Sequence, residues 1–367
     1  MRTAKAALIM EPNEPFVIKE FPVVEPSAGY ARMSLIASGV CGTDVHIHTG
    51  RLGSTPGQII GHEFVGKIEA ISQVDSEKYG LNIGDAVISD IAVPCGECLL
   101  CKTGDDANCV NMAVTNGGDP NVTPHFHGGY AEVSFAPAGN LIKLPEGVDP
   151  VAATVFACPG PTAIHAFCLA EQANCNIKNS RVAVVQGLGP VGMFAVSYLA
   201  AMGIKHVIAI TAFKDEKREA LAKEMGATQV LCIDQLGNEG IKSIILELTD
   251  GLGADLVFEA SGSPKAVPAG MDMLRNRGVY LVPGQYSNSG GIEIQPQMIT
   301  FKALHIIGSS QYSMCDVKKY VQFLAENEDL VKKIRTLATC YKVEDVNRAF
   351  SDAKSAKNVK TLLVNDL

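Results

Sequence analysis

The sequence predicts an α/β protein in which a doubly wound parallel-sheet domain interrupts a mostly β domain. Three observations carry this. Residues 1–150 break into short apolar runs punctuated by glycine and proline, whereas 155–300 alternate apolar runs with amphipathic helical stretches. The tail returns briefly to the first style. A chain of 367 residues is long enough for two cores. No linker-like run or internal repeat separates the halves, so insertion is the simplest arrangement. The expected domains are 1–155 with 300–367, and 156–299.

In the first segment, strands are expected over 6–10, 31–37, 64–71 and 85–88, each bounded by turn residues. In the second, they are expected over 181–186, 206–211, 229–233, 255–259 and 279–282. The clearest helix between them spans 214–225 and closes at Gly226, a natural C-cap. Strand–helix alternation at this spacing means a parallel sheet with both faces covered. The tail reads as a strand over 304–308, a helix over 314–327 and a final strand over 361–364.

Bulk composition excludes several functions. A net charge of −8 with no basic block argues against nucleic acid or an anionic membrane as partner. The apolar run in the opening MRTAKAALIM stops at Glu11-Pro12, too short for a signal-peptide core. No uninterrupted apolar stretch reaches the ~18 residues of a membrane span. Eleven cysteines, an odd number and partly clustered, suit metal ligands and core thiols in a reducing compartment, so a cytoplasmic location is expected.

Four of those cysteines, Cys95, Cys98, Cys101 and Cys109, follow the spacing C-x2-C-x2-C-x7-C. Four thiolates in so short a stretch can close a tetrahedron around one zinc ion, with no position left for water. The site is therefore read as structural, in a tightly turned lobe over 94–110.

Gly187-Leu188-Gly189-Pro190-Val191-Gly192 follows the apolar run ending at Gln186 and opens a helical stretch. In that strand–turn–helix setting, GxGxxG is a dinucleotide fingerprint. Gly187 permits the turn, Gly189 admits the pyrophosphate, and Gly192 lets the helix pack on the strand; helix N–H groups face the phosphates. The second strand ends at Thr211 rather than at a ribose-binding carboxylate, and Lys214, Lys217 and Arg218 follow. Those bases could hold a 2′-phosphate or form a solvated face, which leaves NAD and NADP both open.

Cys41, His62, Glu63 and Cys158 stand outside the cysteine lobe. Cys41 and Cys158 taken singly read more often as packed core thiols than as ligands, and His62 alone is unremarkable. Together, two sulfurs and one imidazole form the donor set of a zinc with an open fourth position. In chain order run Gly39-Val40-Cys41-Gly42-Thr43-Asp44, Gly61-His62-Glu63, the four-cysteine lobe, Gly84-Asp85, the Gly187–Gly192 turn and Glu259-Ala260-Ser261-Gly262. By these motifs the chain resembles the zinc-containing medium-chain alcohol and polyol dehydrogenases along nearly its whole length.

The resemblance implies a GroES-like catalytic domain, a Rossmann cofactor domain, and reversible oxidation of an alcohol to a ketone or aldehyde with NAD or NADP. It implies two zinc ions per chain. Cys41, His62 and Cys158 match the catalytic ligands, Glu63 the carboxylate beside the ligand histidine, and Asp44 the acid that orients that ring. Thr43 matches the hydroxyl that passes the substrate proton, His46 the histidine that delivers it to solvent, and Thr162 a residue near the nicotinamide. Cysteine at 158, where many polyol dehydrogenases carry glutamate, leans toward the alcohol-dehydrogenase version of the site. The implied partner is a small alcohol or carbonyl and the implied assembly a homodimer or homotetramer; a secondary alcohol or polyol is favoured, the alternatives being a threonine- or sugar-type dehydrogenase of the same family or a non-catalytic zinc- or nucleotide-binding redox sensor. His125, His127 and Arg51 are read as surface side chains rather than substrate contacts.

Overall fold

The computed structural model describes residues 2–285 and 289–365. The chain forms two units, one of residues 1–158 with 312–367 and one of 159–311. The first opens with β1 (Thr3–Leu8) and β2 (Val17–Pro22), an antiparallel pair. It continues through β3 (Tyr30–Gly39), α1 (Gly42–His48), β4 (Glu63–Ile71), α2 (Gln73–Tyr79) and β5 (Ala86–Ser89). Then come β6 (Ala92–Val93), α3 (Leu99–Lys102), β7 (Ala113–Val114), β8 (Val133–Pro137), β9 (Leu141–Lys143) and α4 (Pro150–Val155).

The second unit comprises α5 (Pro159–Gln172), β10 (Val182–Gln186), α6 (Pro190–Ala201), β11 (His206–Thr211), α7 (Glu216–Glu224) and β12 (Gln229–Cys232). It ends with α8 (Ile233–Leu248), β13 (Ala254–Glu259), α9 (Ala266–Met273), β14 (Leu274–Val282), α10 (Gln297–Lys302) and β15 (His305–Gly308). The chain returns to the first unit with α11 (Met314–Glu326), α12 (Glu328–Thr336), β16 (Ala338–Lys342), α13 (Val346–Lys354) and β17 (Lys360–Val364).

The first unit is organised by β3. Its burial alternates along most of its length, as a strand packed on one face requires. β4 pairs antiparallel along one edge, while β8 and β17 share the other. One buried cluster gathers Phe16, Phe126, Tyr130, Phe135 and Phe350. A second gathers Met33, Leu35, Phe64, Ile68 and Val87.

The second unit holds six parallel strands in the order β12-β11-β10-β13-β14-β15. Every residue of β10 is buried, as expected for a strand covered on both faces. Strand order reverses between β10 and β13, and ligands of such sheets bind beyond the strand ends at that switch point. The Gly187 turn leaves β10 there.

Several boundaries differ from the sequence reading. β15 was assigned with the tail, but it pairs in parallel with β14 and so belongs to the second unit with the rest of 300–311. Its alternating half-exposure looks like a half-buried strand of the first segment; only its pairing reveals its sheet. Residues 156–158 fall instead in the first unit. The reading of 1–150 as short strands with turns missed α1 and α2, each seven residues and too short to show a helical period. α2 is delimited by caps: Ser72 accepts the Asp75 N–H, and Gly80 ends it at φ 67°. Among the described residues, no helix is long and apolar enough to cross a membrane.

Asp90 sits just before β6 and is 1% exposed, its Oδ1 accepting the Ala92 N–H at 3.0 Å. Burial pushes its carboxyl up to about 7 against the pull of that N–H. An unfolded aspartate titrates near about 3.9. Between these values the folded state keeps a proton that the unfolded chain has shed. The group's contribution is therefore full below about 3.9 and lost as pH rises through about 7. Asp90→Asn is expected to raise Tm more at pH 8 than at pH 5 in thermal melts; an equal shift at both would contradict this.

Candidate active site and metal centres

Three segments of the first unit meet at one point. Cys41 lies between β3 and α1, His62 directly precedes β4, and Cys158 follows α4. One donor atom from each of Cys41, His62, Glu63 and Cys158 lies within 4.8 Å of the other three. Asp44, fully buried, ties the segments together. Its Oδ2 accepts the Cys41 N–H at 2.9 Å and the Tyr130 hydroxyl at 3.0 Å, and its Oδ1 stands 3.4 Å from His62 Nδ1. A carboxylate facing Nδ1 keeps the ring proton there and leaves Nε2 its lone pair for a metal.

The electrostatics favour a cation in this pocket. Burial opposes a charged His62, but Asp44 and Cys41 outweigh it and raise the ring well above its ordinary value. The hydrogen bond from Cys158 pulls Cys41 well below the usual thiol range, with His62 adding to the effect against burial. The same hydrogen bond, with burial, pushes Cys158 well up. One sulfur is thus primed as a thiolate beside a second that can follow once a cation replaces the shared proton. Tyr312, 2% exposed, hydrogen-bonds Cys158, and burial keeps its hydroxyl protonated.

Glu63 is fully buried, and its Oε2 pairs with Lys360 Nζ, itself 2% exposed. Burial pushes the Glu63 carboxyl up to about 8 against the pull of Lys360. A divalent ion alongside would invert that balance. Glu63 Oε1 has no hydrogen-bond partner among the described residues. Two sulfurs and an imidazole suit a zinc ion with one position open. Thr43 Oγ1 lies 3.7 Å from Cys41 Sγ, and His46, three residues on, shares its face of α1.

In the lobe, the sulfurs of Cys95, Cys98, Cys101 and Cys109 also lie within 4.8 Å of one another. Cys98 Sγ is 3.5 Å from Cys101 Sγ and 4.0 Å from Cys109 Sγ. A tetrahedron with Zn–S bonds of about 2.3 Å has edges of about 3.8 Å. Backbone N–H groups of Cys101 and Val110 pull Cys98 down to about 6, while burial and Cys98 push Cys101 up to about 12. Amides aimed at sulfur are what a thiolate cluster needs.

In the second unit, Gly187 turns at φ +95°, and a Cβ there would lie 2.7 Å from Ser261 Cα. Gly189 is the N-cap of α6, Pro190 and Val191 open it, and a Cβ at Gly192 would collide with the Gly187 carbonyl. Buried Glu259 closes the facing loop, its Oε1 accepting the N–H groups of Ser261 at 2.7 Å and Gly262 at 3.0 Å. Arg218 Nη1 donates to the Leu188 carbonyl at 2.9 Å, which sets it against the glycine turn. Lys214 pairs instead with Glu216 at 3.1 Å, and Thr211 Oγ1 donates to the Phe213 carbonyl. Thr162 lies in the first turn of α5.

Sequence reasoning missed Tyr130, Tyr312 and Lys360, whose roles rest on contacts distant in the chain. A lysine opening the apolar run 360–364 was the one available signal. His125, read as a surface side chain, is half-buried: it stacks on Phe21 with ring centroids 4.5 Å apart, and its Nδ1 meets the Pro120 carbonyl at 2.9 Å. Arg51 is exposed.

Comparison with known proteins agrees with this architecture. The family described as zinc-binding dehydrogenase matches residues 190–326, and the alcohol dehydrogenase GroES-like domain matches 27–146. D-xylulose reductase A of Aspergillus oryzae is 32% identical over 331 residues, covering 89% of this chain and 87% of the relative. L-threonine 3-dehydrogenase of Bacillus subtilis is 30% identical over 370 residues, covering 99% and 100%. 5-exo-hydroxycamphor dehydrogenase of Pseudomonas putida is 29% identical over 374 residues, covering both chains fully at 100%. Among solved structures, an alcohol dehydrogenase from Thermotoga maritima superposes with a TM-score of 0.90 at 26% identity, covering 100% of each chain. An alcohol dehydrogenase from E. coli complexed with NADH gives 0.80 at 27% identity, covering 99% and 100%. The chain belongs to the zinc-containing medium-chain dehydrogenases, oxidoreductases that act on CH–OH groups.

Proposed function

We propose that the protein reversibly oxidises a secondary alcohol or polyol to the corresponding ketone, with one catalytic and one structural zinc per chain and NAD or NADP as acceptor. The observation that carries this is the convergence of Cys41, His62 and Cys158 donor atoms beside Thr43 and His46 on one helix face. When bound, the catalytic zinc supplies a Lewis acid for the substrate oxygen and the nicotinamide a hydride acceptor. Cys41, His62 and Cys158 hold the metal, and Asp44 fixes the His62 tautomer. Thr43 Oγ1 accepts the hydroxyl proton as the substrate is oxidised and passes it on, and His46 releases it to water.

Gly187, Gly189, Pro190, Val191 and Gly192 hold the pyrophosphate at the α6 N-terminus, with Thr162 toward the nicotinamide. Arg218 and Thr211 contact the adenosine ribose in this reading, which the Arg218 contact with Leu188 in the glycine turn supports. Lys214 is engaged by Glu216, which weakens the case for a 2′-phosphate there. The substrate lean draws on relatives named for hydroxycamphor, threonine at carbon 3 and xylulose, all with oxygen on an internal carbon. A homodimer or homotetramer is supported by apolar Phe301 and Ile306, exposed at 79% and 41% near the sheet edge formed by β15.

A panel of alcohols, polyols and sugars with NAD and with NADP, followed by nicotinamide absorbance, tests the reading. Turnover of secondary alcohols or polyols is expected, and failure across that class would overturn it. Cys41→Ser and His62→Ala are each expected to cut kcat at least 1,000-fold with an unchanged circular dichroism spectrum, about 4 kcal/mol of barrier. Near-normal activity in either would remove the metal assignment. Cys98→Ser should instead lower Tm and leave about one zinc per chain by metal analysis; an unchanged Tm with two zinc ions would contradict a structural site.

A further inference from the structure

Cys158 is where the chain leaves the first unit, and Tyr312 is where it re-enters. Far apart in sequence, the two side chains meet. Tyr312 is 2% exposed, and it hydrogen-bonds the Cys158 sulfur. Burial keeps its hydroxyl protonated, so the oxygen donates and the sulfur accepts.

Local structure brings both to the same place. Cys158 lies three residues past the end of α4, and Tyr312 directly precedes Ser313, the N-cap of α11. The Ser313 N–H and Oγ both donate to Asp316 Oδ2 at 3.0 Å, which fixes the start of α11. Further along α11, the buried Tyr320 hydroxyl donates to the Ala153 carbonyl of α4 at 2.8 Å. The two helices are thus fastened, and the residue just before one is held beside the residue just after the other. Gln311 adopts φ +61° immediately upstream, a left-handed setting uncommon for a side chain of its size. Such a bend persists only where the surrounding structure enforces it.

Shape alone does not ask for this hydroxyl. Phenylalanine would fill the same space without a polar atom to bury, and a buried hydroxyl lacking a partner is costly. Here the partner is one of the three donors that converge on the candidate metal centre. Beside a divalent ion, Cys158 gives up its own proton and its sulfur can only accept. A hydrogen bond to a thiolate draws electron density from the sulfur, which then donates less to the metal and leaves it more electrophilic. We propose that Tyr312 is a positioning residue for the reaction: its hydroxyl holds the Cys158 sulfur and, through it, sets how strongly the bound metal polarises the substrate oxygen. Tyr312 itself touches no reacting atom. This rests on the catalytic-zinc reading above.

The test uses the full-length enzyme with Co2+ in place of zinc and reads the sulfur-to-cobalt charge-transfer absorption. Four sulfurs leave no open position in the lobe, so bands that respond to added imidazole report the Cys41–His62–Cys158 centre. Tyr312→Phe is expected to move those bands to longer wavelength, because a sulfur without its hydrogen bond gives up charge more easily. It is also expected to lower kcat about tenfold. Tyr320→Phe deletes another buried hydroxyl, one bonded to a backbone carbonyl, and should leave the bands in place. Tyr312→3-fluorotyrosine keeps the hydroxyl and makes it a stronger donor, so its bands should move to shorter wavelength; this arm stands even where Tyr312→Phe fails to fold. Unmoved bands in either folded Tyr312 variant overturn the assignment, as does an equal shift in Tyr320→Phe. Moved bands with unchanged kcat deny the hydrogen bond a part in the reaction. If no band responds to imidazole in the unsubstituted protein, the catalytic-zinc reading fails, and this inference with it.

Discussion

Two sulfurs and an imidazole from residues 41, 62 and 158 can share one ion only if three distant segments are held to within a few ångströms. The Asp44 carboxylate enforces much of this. It caps the helix behind Cys41, anchors on the Tyr130 hydroxyl in the aromatic core, and stands against the His62 ring. Each contact is a modest interaction alone, but all centre on a fully buried carboxylate, where an unmet partner is costly. The strand register supplies the rest. Because β3 and β4 pair with Gly39 opposite Glu63, the ends of the two strands bring Cys41 and His62 to the same place. A slip of one residue would turn these side chains to the other face.

Much of this was legible in the sequence, for identifiable reasons. The lobe showed because tetrahedral coordination by a short loop demands close cysteine spacing. The cofactor turn showed because a phosphate-binding bend needs glycine at fixed intervals after a strand. Strands of the parallel sheet showed as continuous apolar runs; the expected strand over 206–211 has the same bounds as β11. The convergence of Cys41, His62 and Cys158 was legible only as a set, since each alone reads as an ordinary core residue. What stayed hidden was nonlocal. Nothing near position 130 announces a hydroxyl aimed at Asp44, and nothing near 360 announces a lysine paired with Glu63. β15 was misplaced because its sheet membership depends on a partner strand rather than on its own pattern.

The two metal sites illustrate how context assigns work to the same chemistry. In the lobe, backbone amides pull Cys98 down, and four sulfurs stand close enough to fill a tetrahedron by themselves. At the Cys41 centre, burial, Asp44 and Lys360 surround an incomplete set. On the proposed assignment, the lobe is structural, whereas the other centre keeps a position open beside a buried ion pair. Such local departures from the most stable arrangement are where function is expected to reside.

The central claim is that Cys41, His62 and Cys158 share a single ion. Anomalous scattering from crystals of the purified protein, measured on both sides of the zinc absorption edge, addresses it without reference to turnover. The account predicts two peaks per chain, one enclosed by the four lobe cysteines and one between Cys41, His62 and Cys158. A single peak in the lobe, with those three side chains sharing no ion, would contradict it.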